Sequence, residues 1–258
     1  MSEDVLLDVE DGIATVTVNR PDKRNSMDVP TRKLLRSKFE EAEDDDEVRV
    51  VLLRGAGENN FIAGGDIESF ARFDVLEAKE YFDEHAQGLY NYVAQYSKPT
   101  IAVIDGYAFG GGFEISCSCD IRIARRGIKM GLPEVTIGIL PGGGGTQRLA
   151  NLVGASVATD LILTGKTIDA EEAADIGFVN YLYDADEFEA GVDDLAAQIA
   201  SNAPIALELA KESINRGLDQ EAGLDFERIA ATLLFATDDQ QEGAEAFLEK
   251  RDPEFVGR

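Results

Sequence analysis

Apolar residues recur along this chain with two periods. Ile13 to Val18 alternates, with Ala14, Val16 and Val18 on one side, the pattern of a half-exposed strand. Val29 to Ala42 carries Leu35, Phe39 and Ala42 at helical spacing. Val48 to Leu53 and Thr100 to Ile104 are short apolar runs bounded by turn or charged residues, which predicts buried strands. Between them, Leu76 to Tyr96 predicts a long helix with Phe82, Leu89, Val93 and Tyr96 on one stripe, and Pro99 marks its end. Repeated strand–helix–strand order predicts an α/β core with right-handed crossovers.

The last third changes character. Phe188, Val192, Leu195 and Ile199 form one helical stripe. Leu207, Ala210 and Ile214 form another, opened by Pro204, and Phe226, Ile229 and Leu233 a third. No strong strand pattern follows Tyr183. The reading is an α/β core over residues 1–190 and a helical C-terminal region over 191–258.

Composition narrows the picture. A chain of 258 residues, 44% hydrophobic, can bury a full core. Its two cysteines, Cys117 and Cys119, lie in an apolar run and read as small buried side chains in a reducing compartment. Two cysteines and one histidine are too few for the usual zinc sets. The N-terminus lacks a basic segment followed by an apolar one, and no run approaches the length of a membrane span, so a cytoplasmic, soluble protein is expected.

Charge adds more. Fifty acidic residues against 24 basic ones give a net −26, which repels nucleic acid and anionic lipid and argues against both as partners. The acid is spread over segments that keep their apolar periodicity, so it coats a folded protein rather than forming a tail. At about 1 M salt the Debye length falls to about 3 Å. A salt-rich cytosol, as in a haloarchaeal type of organism, would therefore screen the self-repulsion.

Candidate chemistry concentrates in three glycine-rich segments. Gly110-Gly111-Gly112 precedes a stretch that can start a helix, whose unpaired N–H groups attract negative charge. A tight turn without a ligand accounts for the glycines equally well. Phe61-Ile-Ala-Gly-Gly-Asp66 is a second such loop, with Asp66 placed to cap a helix. Pro141 to Arg148 is a third. It lacks the Lys-Ser/Thr pair of a P-loop, and the first lacks the spacing of a dinucleotide fingerprint. Glu114 falls in the first turn after Gly111. Glu134 follows Pro133, with Val135, Ile137 and Ile139 around it. Burial among apolar neighbours would raise their pKa values and let them exchange protons near neutral pH. His85, in the long helix, lacks the partners of a catalytic triad or metal site and reads as a partly buried helix residue.

At these residues the chain resembles the enoyl-CoA hydratase/isomerase (crotonase) family. The resemblance is carried by Asn19-Arg-Pro, Asn25 with Met27 and Asp28, Phe61 to Ile67, and Lys98 to Glu114. It continues through Pro133 to Gly138, Leu140 to Leu149, Leu163-Thr-Gly165, Phe235 to Asp239 and Ala246 to Arg251. It implies a spiral of ββα units with a helical C-terminal region that builds trimers, often paired into hexamers. The N–H groups of Gly65 and Gly111 would form an oxyanion hole for a thioester oxygen. Glu114 and Glu134 would serve hydration of a trans-2-enoyl-CoA to a 3-hydroxyacyl-CoA, with Glu134 delivering the proton to C2. No cofactor is implied, since coenzyme A is part of the substrate. Contacts to the substrate and its CoA would come from Arg24, Ala63, Gly65, Asp66, Ile67 and Lys250, local cations offsetting the acidic surface. Isomerisation, another acyl-CoA lyase or hydrolase reaction, and CoA binding without catalysis are the alternatives.

Overall fold

The computed structural model describes residues 3–65, 73–216, 237–239, 242, 246, 249–251 and 253–258. Its strands form two sheets. The larger has six strands in the order β1 (Val5–Glu10), β2 (Ile13–Val18), β3 (Val50–Gly55), β5 (Thr100–Ile104), β7 (Ile121–Arg125) and β10 (Tyr181–Tyr183). The first pair is antiparallel and the rest parallel. The smaller sheet has four strands, β4 (Asn60–Ile62), β6 (Tyr107–Phe109), β8 (Lys129–Gly131) and β9 (Thr167–Asp169), parallel except for the last pair. The successive pairs β3/β4, β5/β6 and β7/β8 each give one strand to each sheet. This repetition is what turns the chain into a spiral.

The apolar pattern explains the layers. Alternate residues of the six-stranded sheet face opposite sides. Val51, Leu53, Ala102, Ile104 and Ala124 join the main core with Leu35, Phe39 and Ala42 of α1 (Val29–Asp44). Val50, Leu52, Ile101, Val103 and Ile123 join a second core under Phe188, Val192, Leu195 and Ala196 of α8 (Phe188–Ala200). Both sides are covered, so β3 and β5 are continuous apolar runs. The helices α6 (Ala155–Thr164) and α7 (Ala170–Asp175) precede α8, which straddles residue 190 and packs on the sheet.

Two expectations are revised. The helix expected over 76–96 is α2 (Val75–Glu80) and α3 (Gly88–Ala94), joined by a π-helical stretch, Tyr81–Gln87. Leu89, Val93 and Tyr96 are buried as expected, but Phe82 on the widened turn leaves the core. The stripe on α9 (Pro204–Arg216) is uncovered in the single chain: Ala210 is exposed and Ile214 is 78% exposed. The third stripe, at Phe226, Ile229 and Leu233, lies outside the described residues.

Candidate active site

The smaller sheet assembles the site. In β4, β6 and β8, Ile62 is level with Ala108, and Ala108 with Met130. Three positions beyond that rung stand Gly65, Gly111 and Pro133, and Glu134 follows. Neighbouring strands run about 4.8 Å apart. The segments leaving three adjacent parallel strands at the same end therefore converge on one small volume, although 69 positions separate Gly65 from Glu134 in the sequence. The ladder continues past the strands, where Gly110 N–H donates to Gly131 O at 3.0 Å.

The result is a cavity of about 250 Å³ whose lining includes Ala63, Gly65, Gly111, Glu114 and Glu134. Its remaining wall is mainly apolar, with Tyr81, Phe82 and Ala86 from the π-helical stretch and Ile137, Ile139 and Leu140 opposite. The glycines are required by close approach. A side chain on Gly112 would collide with Ile62 O. One on Gly64 would come within 3.3 Å of the Gly111 nitrogen, which shows how tightly the two loops abut. Gly110 (φ +53°) caps α4 (Gly111–Ser116). Gly111 is thus the first residue of the helix, and its N–H has no partner within it.

Glu114 is 5% exposed. Its Oε1 accepts from Gly143 N–H at 2.8 Å and Gly145 N–H at 3.0 Å, both in the glycine-rich segment leading into α5 (Gly145–Val153). Burial pushes its carboxyl up, opposed by these two amides and by the guanidinium groups of Arg32 and Arg148. Glu134 opens a 3-10 turn, Glu134–Ile137. Its Oε1 faces Gly110, where a Cβ would stand 3.2 Å away, and its buried Oε2 has no hydrogen-bond partner among the described residues. Burial pushes its carboxyl up to about 7, opposed by a hydrogen bond from its own backbone N–H, and the nearby Glu114 adds to the rise. Ile137 and Ile139, expected to bury Glu134, are 55% and 38% exposed. Glu134 is half-buried, with its carboxyl set against Gly110 of the neighbouring loop.

The other expected residues are dispersed. Arg24 is exposed and in a left-handed conformation, and neither it nor the exposed Lys250 lines the cavity. The Arg24 carbonyl nonetheless accepts from Ala63 N–H at 3.1 Å, tying its loop to the site. Asp66 and Ile67 lie outside the described residues. His85 is half-buried, with its imidazole pushed down by burial and by Lys33. Cys117 and Cys119 are buried free thiols, each pushed up to about 12 by burial, which makes them inert.

Sequence reasoning missed Arg32, which lines the cavity while only 3% exposed. The signal was present: Arg32 stands three residues before Leu35, on the apolar side of α1. It also missed Tyr90, which is buried next to Leu89 on α3. A phenol inside an apolar pattern needs a partner for its hydroxyl.

Comparison with known proteins agrees with this geometry. Residues 8–258 match the family model described as enoyl-CoA hydratase/isomerase. A short-chain-enoyl-CoA hydratase of Clostridium acetobutylicum is 42% identical over 249 residues, covering 96% of this chain and 95% of that protein. A crotonyl-CoA hydratase of Syntrophomonas wolfei is 37% identical, covering 99% of each. The 1.8 Å crystal structure of an enoyl-CoA hydratase from Bacillus anthracis superposes with a TM-score of 0.95 at 36% identity, covering 99% of this chain and 100% of that one. With the strand ladder, the paired loops and the two glutamates in one cavity, these matches place the chain in the enoyl-CoA hydratase/isomerase family.

Proposed function

We propose that the protein is an enoyl-CoA hydratase, adding water across the double bond of a trans-2-enoyl-CoA to give a 3-hydroxyacyl-CoA. The observation that carries this reading is the convergence of Glu114, Glu134, Gly65 and Gly111 on one cavity. Hydration needs a base for water, an acid for C2 and a stabiliser for the enolate between them. The N–H groups of Gly65 and Gly111 receive the thioester oxygen as it gains charge. Glu114, whose Oε1 is held by two amides, is the better seat for a negative charge. It takes a proton from water as the water oxygen attacks C3. Glu134, with an unpartnered oxygen and a carboxyl near 7, holds the proton that passes to C2. The two carboxyls titrate as a pair, and exchange between them restores the starting state. A double-bond isomerase can work with one acid–base group, so the paired carboxyls favour hydration over isomerisation.

Coenzyme A enters as part of the substrate, and no further cofactor is needed. Arg24 and Lys250 are proposed to meet its phosphates, with Asp66 and Ile67 completing the acyl wall. Residues 191–258 are proposed to close the pocket and to build a homotrimer or homohexamer. The uncovered Ile214, and Leu163 at 72% exposure, support a further partner surface. No described helix is long and apolar enough to cross a membrane. A cytoplasmic location in a salt-adapted cell is the matching proposal for the charge of −26.

The test is loss of enoyl-thioester absorbance with crotonyl-CoA in concentrated KCl. Rapid loss yielding 3-hydroxybutyryl-CoA is expected, and Glu114→Gln should slow it by about 10²–10⁴. A folded, CoA-binding protein that consumes no crotonyl-CoA would reject short-chain hydration. Full activity in the Glu114 variant would remove that residue from the mechanism.

A further inference from the structure

Arg32 is the buried cation nearest the proposed chemistry, and it forms no ion pair among the described residues. Its donors go instead to three separate segments on or behind the cavity wall. Nε donates to Met27 O at 3.3 Å, and Nη1 donates to His85 O at 3.3 Å and to Tyr90 Oη at 2.8 Å. Each acceptor belongs to a different part of the site. Met27 N–H donates to Gly64 O at 2.9 Å, and Met27 forms a parallel bridge with Gly65. His85 lies in the π-helical stretch that supplies Tyr81, Phe82 and Ala86. Tyr90 passes the connection on, its hydroxyl donating to Gly111 O at 2.9 Å. One guanidinium therefore fastens both glycine loops and the acyl wall.

The remaining nitrogen matters as well. Arg32 Nη2 comes so near Gly111 that a Cβ there would stand 3.1 Å from it. The guanidinium lies over the Tyr81 and Tyr90 rings, 5.2 Å from each centroid. Both rings and the Tyr90 hydroxyl hold it in a fixed orientation, away from bulk water. A buried charge without an ionic partner is expensive unless something compensates it. Here Glu114 supplies part of the compensation, and negative charge developing on a thioester oxygen beside Gly111 would supply more.

We propose that Arg32 is a positioning residue for the reaction, holding the Gly65 and Gly111 loops in register through Met27 and Tyr90 and placing a fixed positive charge behind the oxyanion. The proposal rests on the hydratase reading and on Gly65 and Gly111 as the oxygen's donors. The charge contributes in the transition state and little in the ground state, because the thioester oxygen carries full charge only in the enolate. Loss of Arg32 should therefore fall on kcat rather than on KM.

The experiment compares wild type with Arg32→Met, which keeps the length of the side chain, and with Tyr90→Phe, which removes only the relay hydroxyl. Steady-state hydration of crotonyl-CoA gives kcat and KM separately. Infrared difference spectra of bound butyryl-CoA, an unreactive saturated thioester, report how strongly the carbonyl is polarised. Arg32→Met should lower kcat by about 10²-fold, the scale of one lost oxyanion donor, with KM changed less than about threefold. The downshift of the carbonyl band should shrink although the ligand still binds. Tyr90→Phe should lose roughly tenfold in kcat, and it keeps the test open if Arg32→Met does not fold. Wild-type kcat in a folded variant of either kind overturns the proposal. So does an undiminished carbonyl shift in Arg32→Met. Failure of the underlying reading looks different: the wild-type enzyme itself would neither hydrate crotonyl-CoA nor shift the carbonyl band.

Discussion

Two carboxyls share one cavity and both are pushed up by burial, but their partners differ. Glu114 Oε1 meets two amides, whereas Glu134 Oε2 meets none among the described residues. The raised Glu134 pKa of about 7 has a definite consequence for stability. Between the unfolded carboxyl value and about 7, the native state binds more protons than the unfolded one, so stability falls as pH rises through that window. Glu134→Gln should flatten this slope and raise stability at pH 8 by about 1–3 kcal/mol, measured by denaturant titration across pH. Some slope should persist, because burial also pushes Asp105 up to about 6. The same substitution should remove most hydration while acyl-CoA binding survives; retained turnover would end its acid–base role. At Gly111, Asp should be worse than Ala in kcat. Either side chain presses on Tyr90 Oη, 2.8 Å from the Cβ position, but only the carboxylate also opposes the oxyanion and draws on Arg32. Equal rates for the two variants would count against an oxyanion hole here.

At the level of elements, the π-helical stretch and the loop before α1 do the positioning. A π turn is wider than an α turn and recurs at functional sites. Here it moves Phe82 out of the core stripe and onto the cavity wall, against Gly142. The loop before α1 is held by Asn25, fully buried at φ +57°. Its Oδ1 accepts from Arg20 N–H at 3.0 Å, while its Nδ2 donates to Ala56 O at 2.9 Å and Asn60 O at 2.8 Å. These bonds fix the loop against the start of β4. Asn25→Ala should cost about 2–4 kcal/mol, since it strands buried backbone groups and leaves a left-handed residue without its reason. An unchanged urea midpoint would mean that the loop is held by other contacts. The sequence-based reading found the elements whose periodicity is simple: α1, α8, β2, β3 and β5 lie within a few residues of their expected places. It did not find the π-helical turn, because local spacing cannot tell a stripe that continues from one that slips by a residue.

For the whole molecule, charge sets the conditions of stability. A net −26 on a 28.0 kDa chain should make the folding midpoint rise between low and molar KCl as self-repulsion is screened; a flat midpoint would end the salt-adapted reading. Sedimentation in the same series should give three or six times 28.0 kDa, and a monomer would refute the proposed assembly. The sequence by itself determined the fold class and the family, and it marked the residues proposed to carry the chemistry. Continuous apolar runs, helical stripes and glycine-flanked glutamates are local patterns, and local patterns survive in one dimension. Only the tertiary structure decided that Gly65, Gly111 and Pro133, with Glu134 next to it, leave adjacent parallel strands at the same level, that two distant amides hold Glu114 Oε1 while Glu134 Oε2 has no partner among the described residues, and that Arg32 ties the loops together. Those facts depend on strand order and register, which are set by packing between residues far apart in the chain.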